Sequence, residues 1–347
     1  MTDRITIRRP DDWHLHLRDD AMLQAVLPPT ARVFGRAIVM PNLKPPVTTS
    51  AMAAAYRQRI LDALPEGSSF TPLMTLYLTD RTDPADLVAG ARDGVVTAVK
   101  LYPAGATTNS DSGVSSFDAL DPVLGAMEDA GIPLLVHGEV TDAHVDIFDR
   151  EARFLDEVLG PMMARHQGLR VVFEHATTAD AVQFVRAHAD RMGCTLTPQH
   201  LLLNRNDMLV GGIRPHLYCL PILKRATHQR ALVEAATSGE SNFFLGTDSA
   251  PHLRHTKESD CGCAGCFSAP AALELYASVF EAEDRLHALE GFASLHGAAF
   301  YGLEPHEERI TLVRERWTVP HATPVSGDPE GVVNFHGGQP LGWKLLG

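Results

Sequence analysis

Two histidines near the start of the chain have a spacing that suits a metal site. His14 and His16 alternate with Leu15 and Leu17 in the stretch DWHLHLR. Successive side chains of a β-strand point to opposite faces, so the two histidines share one face and the two leucines share the other. Two imidazoles side by side provide half of a four-ligand site for a divalent metal. The alternative is a strand with two chance histidines, and only further ligands elsewhere can decide between them.

Four later apolar runs each end in a residue that can bind a metal or transfer a proton. The runs are Val95–Lys100, Ile132–His137, Val171–His175 and Phe243–Asp248. A single histidine after a strand is usually an ordinary polar loop residue. When several ligand-type residues end the strands of one parallel sheet, they meet at one edge, and together they indicate a metal centre.

Lys100 follows the apolar run Val-Val-Thr-Ala-Val, which predicts poor solvation and a lowered pKa for its amine. A neutral amine can add carbon dioxide to give a carbamate, whose two oxygens can bridge two cations. The alternative is an ordinary lysine that binds substrate or a carboxylate. Neutral imidazoles, one carboxylate and a carbamate suit two borderline ions such as zinc, with a hydroxide between them. Asp248 would then be both a ligand and the general acid/base.

Eight apolar runs with strand character recur along the chain, most of them separated by helical patterns. They are Trp13–Leu17, Val33–Met40, Leu73–Leu78, Val95–Leu101, Ile132–Val136, Leu169–Phe173, Cys194–Thr197 and Phe243–Leu245. This alternation predicts an α/β fold with a parallel sheet, and eight strands favour a (β/α)8 TIM-type barrel with its site at the C-terminal face. An open doubly wound sheet is the alternative. We predict one barrel domain over residues 1–347, with a less regular, proline-containing segment from about 305 to 347.

The composition limits the classes of partner. A net charge of −13 over 347 residues, with no basic patch, argues against broad binding of nucleic acid or anionic membranes. No apolar run reaches the roughly 18 residues of a membrane helix, and the N-terminus lacks the apolar segment of a secretory signal. Five cysteines, an odd number, fit a reduced chain. These features predict a cytoplasmic protein.

Several motifs around these residues resemble one family closely. They are Asp11–Arg18, Met40–Leu43, Lys100–Asn109, Val136–Glu139, Thr197–His200, Tyr218–Lys224 and Gly246–His252. The sequence resembles the amidohydrolase superfamily and, within it, the free-standing bacterial dihydroorotase family, from about residue 5 to about residue 303. The resemblance implies a homodimeric barrel with two zinc ions that interconverts L-dihydroorotate and N-carbamoyl-L-aspartate in pyrimidine (UMP) biosynthesis.

The resemblance also implies a role for each site residue. One zinc would be bound by His14, His16 and Asp248, the other by His137 and His175, with N6-carboxylated Lys100 and a hydroxide between them; Asp248 would be the proton shuttle. Substrate contacts are implied for His16, Arg18, Asn42, Thr107, Thr108, His137, Leu220, His252 and Ala264. Within this set, Arg18, Asn42 and His252 would bind the substrate carboxylate. Leu220 and Ala264 would contact the ring through their backbones, and Thr107 and Thr108 would lie on a mobile loop that closes over it.

The position of Arg18 in the sequence also predicts that it binds substrate. It lies two positions beyond His16, so it continues the ligand-bearing face of the strand. Its guanidinium can bind a carboxylate through two hydrogen bonds, which a dianionic product needs in an acidic protein. The alternative is a surface ion pair with Asp19 or Asp20.

The cysteines at 261, 263 and 266 allow two interpretations. They resemble a small metal-binding or redox site, for which Cys219 or Cys194 could supply a fourth cysteine. The intervening Gly and Ala suit a loop that approaches a ligand closely with its backbone, and we favour this interpretation.

Two other functions compete with the implied one. The same barrel could hydrolyse another cyclic amide, such as a hydantoin, but a neutral substrate would not need Arg18, Asn42 and His252. The chain could instead be a non-catalytic homologue, but such homologues lose ligands and all six implied metal ligands are present here.

Overall fold

The computed structural model describes residues 3–346, and its centre is an eight-stranded parallel sheet in sequential order. The strands are β2 (Asp12–Leu15), β3 (Arg36–Val39), β4 (Thr71–Tyr77), β5 (Val96–Leu101), β6 (Leu134–Val136), β7 (Val171–Phe173), β8 (Met192–Leu196) and β9 (Phe243–Leu245). The backbone N–H of Asp248 donates to the carbonyl of His14 at 2.8 Å, and that of His16 to Ser249 at 3.0 Å. These bonds join the first and last strands, so the sheet closes into the predicted (β/α)8 barrel.

Helices connect the strands and cover the outside of the sheet. They are α1 (Asp20–Val33), α2 (Ser50–Asp62), α3 (Pro84–Arg92), α4 (Asp121–Ala130), α5 (Arg150–Phe154), α6 (Gly160–Arg165), α7 (Ala179–Ala187), α8 (Pro198–Leu202), α9 (Arg205–Leu209), α10 (Ala226–Thr237), α11 (Arg254–Lys257), α12 (Ala272–Ala282) and α13 (His296–Tyr301). A π-helical segment, Leu155–Leu159, joins α5 to α6, and another, Gly291–Leu295, precedes α13. Within residues 3–346, none of these helices has both the length and the hydropathy needed to cross a membrane.

The pleat of the strands explains why polar side chains gather at one end of the barrel. Ala98 and Leu135 belong to a fully buried apolar cluster with Trp13. Residues two positions apart share a face of a strand, so Lys100 lies on the same face as Ala98, and His137 on the same face as Leu135. Each interior face therefore changes from apolar to polar toward the C-terminal strand ends, where the site lies.

The prediction of an irregular C-terminal segment was wrong. This part of the chain contains β10 (Arg309–Thr318), β11 (Ala322–Val325), β12 (Asp328–Val333) and β13 (Pro340–Leu345). Strand β10 pairs with β1 (Arg4–Arg8) and with β13, and β11 pairs with β12. Pro324 and Pro329 lie in the two-stranded ribbon, where each strand has an unpaired edge that needs no donor, and Pro340 begins its strand. Proline therefore marks sheet edges here and does not break the strands.

Gly297 in α13 gives the first testable prediction, because it leaves space for the buried indole of Trp13. A Cβ at this position would lie 2.0 Å from Trp13 Nε1. We expect Gly297→Ala to lower the free energy of unfolding by about 1–3 kcal/mol, since overpacking outweighs the helix propensity of alanine. Urea denaturation would measure the change.

Gly125 in α4 provides the matched control, because a Cβ there meets no heavy atom within 4 Å. Gly125→Ala should leave stability unchanged or raise it by up to about 1 kcal/mol. Equal effects of the two substitutions would show that the Trp13 contact does not matter.

Candidate metal centre

The predicted residues gather around one cavity at the C-terminal end of the barrel. The predicted residues that line it are His14, His16, Arg18, Asn42, Thr107, Thr108, His137, His175, Leu220, Asp248 and Ala264. Tyr102 and Ala250, which the sequence did not single out, complete the lining. Of the remaining predicted residues, Lys100 is fully buried and His252 contacts both Arg18 and Ala264.

His14, His16 and Asp248 form a compact group of possible ligands. One nitrogen of each histidine and one Asp248 oxygen all lie within 4.8 Å of one another. Asp248 Oδ1 is 3.1 Å from His16 Nε2 and 3.4 Å from His14 Nε2. Burial would raise the pKa of Asp248, but hydrogen bonds from the two histidines hold it well below its usual value. The carboxylate is therefore ionised and directed at the two imidazoles.

Asp12 holds this group at the seam of the barrel. Its carboxylate accepts hydrogen bonds from the Thr247 hydroxyl at 2.6 Å and the Thr247 backbone N–H at 2.9 Å. It also accepts from the backbone N–H of His14 at 3.1 Å. One buried side chain thus fixes the strand end that carries His14 to the segment that carries Asp248.

Lys100 is buried near this group, and its amine makes no hydrogen bond in the described chain. Its side chain is fully buried, and its Nζ has no hydrogen-bond partner among residues 3–346. Burial lowers the pKa of Lys100 to about 8, although the carboxylates of Glu174 and Asp248 oppose the shift. A buried, unpaired amine is costly to keep in place. A lysine held by a carboxylate or a backbone carbonyl would not leave this atom without a partner, so the geometry favours the carbamate interpretation.

His137 and His175 complete the set of imidazoles. The ring of His175 lies 4.9 Å, between centroids, from the rings of both His14 and His137. Burial lowers the pKa of His137 and holds that of His175 well below its usual range, so both imidazoles are neutral, as metal ligands must be. His175 Nδ1 is buried and has no hydrogen-bond partner in the described chain.

Two carboxylates that sequence reasoning missed orient these imidazoles. Glu174 accepts from His14 Nδ1 at 2.7 Å and from the Thr195 hydroxyl at 2.5 Å. Glu139 lies 2.8 Å from His137 Nε2. Carboxylates of this kind fix the tautomer and orientation of ligating histidines. A signal was available, because each glutamate lies within two residues of a predicted ligand.

These residues fit a pair of divalent ions. Neutral imidazole nitrogens and a carboxylate oxygen are the donors that zinc prefers. Three possible ligand atoms already converge at His14, His16 and Asp248, while the buried Lys100 Nζ and His175 Nδ1 are left without partners. His137 and His175 therefore provide a second set of donors beside the first. The carboxylates of Glu174 and Asp248 both affect the pKa of Lys100, so its amine lies near this group.

Arg18 and its neighbours form a polar wall above the imidazoles. Arg18 donates to the Pro251 carbonyl at 3.3 Å, and one of its terminal nitrogens lies 3.2 Å from His252 Nε2. No ion pair joins Arg18 to Asp19 or Asp20 in the described chain; Asp19 pairs instead with Arg59. The predicted alternative, a surface ion pair of Arg18, is therefore wrong, and its guanidinium lines the cavity.

Asn42 links this wall to the loop that carries the threonines. Its side-chain oxygen lies 2.8 Å from His16 Nδ1, and its amide nitrogen donates to the Thr108 carbonyl at 3.1 Å. The Thr108 hydroxyl reaches the Ala264 carbonyl at 3.4 Å. The loop thus rests against both the imidazoles and the opposite side of the cavity.

Three site residues have positive φ angles, which residues other than glycine rarely adopt. Arg18, His175 and Asp248 have φ angles of 59°, 40° and 44°. Such conformations cost about 1–3 kcal/mol each and concentrate at functional sites, where the surroundings enforce them. Each follows the end of a barrel strand, so the strained turn directs its side chain into the mouth of the barrel.

The loop that carries Cys261, Cys263 and Cys266 does not form a metal-binding site among the described residues. In the described chain, the groups of three or more possible ligands within 4.8 Å contain no cysteine. Cys261 is exposed, with its Sγ 3.8 Å from that of Cys263, and Cys266 is buried. Ala264 from this loop lines the cavity, as the interpretation that we favoured requires.

Comparisons with known proteins agree with this geometry. The model of the amidohydrolase family matches residues 11–312. A dihydroorotase of Erythrobacter litoralis is 61% identical over 347 residues, covering 99% of this chain and all of the relative. This chain belongs to the dihydroorotases of the amidohydrolase family. Two solved dihydroorotases share its fold with TM-scores of 0.91. That of Campylobacter jejuni is 36% identical and covers 100% of this chain and 99% of its own. That of Saccharomyces cerevisiae, in complex with 5-fluoroorotic acid, is 30% identical and covers 99% of both.

Family membership covers nearly the whole chain, including the C-terminal strands that the sequence analysis left irregular. The relative from Erythrobacter litoralis aligns along its entire length and with 99% of this chain. Members of this family hydrolyse their substrates with metal ions, and the cavity described above holds the donors for them.

Proposed function

We propose that this chain catalyses the reversible cyclisation of N-carbamoyl-L-aspartate to L-dihydroorotate, in the synthesis of pyrimidines. The observation that carries the proposal is the cavity in which possible metal ligands and the Arg18 guanidinium face the same space. The name of its 61% identical relative supports the same reaction. A cyclic amide bond and a carboxylate are the two chemical features that such a cavity can bind together.

Two zinc ions would be held by the predicted ligands. His14, His16 and Asp248 would bind one ion and His137 and His175 the other, with N6-carboxylated Lys100 shared between them. When bound, the pair lowers the pKa of water to near neutrality and polarises the amide carbonyl. Glu174 and Glu139 would keep the imidazoles of His14 and His137 in the required tautomers.

Asp248 would move the proton. Its carboxylate lies at the cavity wall beside His16, where it can take a proton from the attacking water and deliver it to the amide nitrogen as that bond breaks. In the cyclisation direction the same group would take the proton from the attacking nitrogen. A carboxylate with a lowered pKa is ionised at neutral pH and can begin either direction as a base.

Arg18, Asn42 and His252 would select a substrate that carries a carboxylate. The guanidinium can donate two parallel hydrogen bonds to it. Burial and the neighbouring Arg18 hold the pKa of His252 well below its usual value, so this imidazole is neutral and can act as a hydrogen-bond partner. A neutral hydantoin would leave the guanidinium without an anion, and we therefore rank this alternative second.

The other parts of the proposal concern the loop, the partners and the compartment. Thr107 and Thr108 line the cavity and would close over the ring. Five free cysteines are compatible with the reduced cytoplasm, which we propose as the location. The family resemblance supports a homodimer, whose mass in solution would test it.

Removal of metal gives the test of the proposed reaction. We expect the purified protein to convert L-dihydroorotate, to lose this activity after treatment with a chelator, and to regain it with zinc, because the ions supply several kcal/mol of transition-state stabilisation. The loss of L-dihydroorotate absorbance would measure turnover, and metal analysis of the same samples would measure the zinc bound.

A hydantoin of similar size, without the carboxylate, is the matched substrate. We expect turnover of it about 10-fold to 100-fold below that of dihydroorotate, since a charged hydrogen bond to a buried group contributes about 1.5–3 kcal/mol. Zinc-dependent turnover of the hydantoin alone would replace the proposed reaction with the alternative one.

A further inference from the structure

We propose that Lys257 is a positioning residue that fixes the two backbone segments facing the substrate ring, an inference that rests on the proposed function. Lys257 ends α11, outside the set of residues assigned to metal or substrate above. Its side chain is only 4% exposed. Its hydrogen bonds in the described chain go to neither the imidazoles nor Arg18, so they act on the reaction through the segments that they hold. Its charge also helps to lower the pKa of His252, and the test must separate this effect from positioning.

The ammonium group of Lys257 binds three backbone carbonyls. Its Nζ donates to the carbonyls of Tyr218 at 2.7 Å, Cys263 at 2.8 Å and Gly265 at 2.8 Å. An ammonium has three N–H bonds, and each of them has an acceptor here. The acceptors belong to two segments that are more than forty residues apart in the chain. Lys257 therefore joins these segments at a single point.

Both segments carry a residue that faces the cavity. Leu220 follows Tyr218 by two positions, and Ala264 lies between Cys263 and Gly265; Leu220 and Ala264 both line the cavity. The backbone N–H of Gly265 also donates to the Tyr218 carbonyl at 3.0 Å, so the two segments are bonded directly at the same place. The part of the cavity wall proposed to contact the ring is thus built around the Lys257 ammonium.

The cysteine loop needs this support because its own conformation is strained. Cys263 has a φ of 29° and Gly265 a φ of 151°, on either side of Ala264. Side chains rarely occupy the first conformation, so surrounding contacts must enforce it. The Ala264 carbonyl accepts a hydrogen bond from His252 Nε2 at 3.0 Å and is 3.4 Å from the Thr108 hydroxyl. A shift of this loop would therefore reach both the carboxylate-binding wall and the threonine loop.

The choice of a lysine here is difficult to explain by packing alone. Burying an ammonium is costly unless hydrogen bonds replace its water. All the hydrogen-bond partners of Lys257 in the described chain are neutral carbonyls, and the ring of Tyr218 lies 5.8 Å from Nζ. A methionine has a similar length and would fill the same space without this cost. The three carbonyls are the feature that methionine cannot satisfy.

Lys257→Met tests the inference by separating substrate affinity from chemistry. We expect the KM for L-dihydroorotate to rise between about 10-fold and 100-fold, because the two proposed backbone contacts with the ring, at Leu220 and Ala264, would each weaken by up to about 10-fold. The zinc content should stay at the wild-type value, and kcat should fall less than KM rises, because neither the ligands nor Asp248 touch Lys257. Steady-state kinetics and metal analysis of the same preparation would measure all three.

Lys344→Met is the matched control, since Lys344 is about half exposed and pairs with Glu315 at the surface. It should leave KM unchanged. Lys257→Arg keeps the positive charge that acts on His252, but a planar guanidinium cannot follow the directions of three carbonyls around one ammonium. KM should therefore rise in this variant too, also if Lys257→Met fails to fold.

An unchanged KM in a folded, zinc-loaded Lys257 variant would overturn the inference. A purely structural role would lower the melting temperature and the active fraction but leave the KM of the remaining enzyme unchanged. Failure of the proposed function is distinguishable, because the wild-type protein itself would then leave dihydroorotate unconverted.

Discussion

Lys100→Ala should remove the paired metal centre and nearly all turnover. We expect the zinc content to fall from about two ions per chain to about one or fewer, and kcat to fall by about 1,000-fold, since metal ions contribute several kcal/mol to transition-state stabilisation. The reason is geometric: the buried Lys100 Nζ has no hydrogen-bond partner in the described chain, where it lies 5.0 Å from the centre of the Tyr102 ring. The carboxylates of Glu174 and Asp248 are near enough to raise its pKa against the effect of burial. Metal analysis and initial rates would measure the two effects.

Short carboxylic acids distinguish a carbamate from an ordinary lysine. The alanine leaves a space in which acetate or propionate could supply two oxygens, so these acids should partly restore turnover of Lys100→Ala. Lys100→Arg keeps the positive charge but cannot be carboxylated, and it should be as inactive as the alanine variant. Normal metal content and turnover in either variant would refute a carboxylated Lys100 that bridges the two ions. If only the arginine variant were active, the positive charge of Lys100 would be the feature that the reaction needs.

Asp248→Asn should abolish most turnover even where metal remains. An amide has nearly the shape of the carboxylate but cannot accept and release the proton, and general acid/base catalysis contributes about 10²–10⁴-fold. We therefore expect kcat to fall by about this factor. Rates should be normalised to the zinc bound in each preparation, because Asp248 also belongs to the group of possible ligands.

Asp129→Asn provides the control for removing one negative charge. Asp129 is exposed on α4, far from the strand ends that carry the site, and its replacement should leave the rate unchanged. Near-normal turnover of a zinc-loaded Asp248→Asn protein would assign the proton transfer to another acid, and Glu174 would be the next group to test.

The sequence by itself determined the barrel and most of the site. Short apolar runs, most of them separated by helical patterns, predicted all eight strands, because burial on both faces makes such strands apolar almost throughout. The ligands could be recognised because a parallel barrel places every strand end at one mouth, so position along the chain becomes position in space. Lys100, His137, His175 and Asp248 each end a run that the sequence already marked, and His14 and His16 lie within the first run.

Helix α1 and the C-terminal strands were not predicted from the sequence, because they contain prolines, which can either interrupt an element or be tolerated within it. Helix α1 contains Pro28 and Pro29, which usually end helices, and the C-terminal strands contain prolines that are tolerated at sheet edges. Whether proline interrupts an element depends on whether its missing donor was needed, and that depends on neighbours far away in the chain.

Only the tertiary structure decided which polar groups meet. Asp12 and Thr247 join the ends of the barrel across 235 positions, and Lys257 joins the segments of Tyr218 and Ala264. Hydrogen bonds of this kind leave no periodic or local pattern in the sequence. Each joins two segments that are distant in the chain and that only the folded barrel brings together. The local pattern specifies the ligands, while the closure of the sheet specifies the residues that hold them in place.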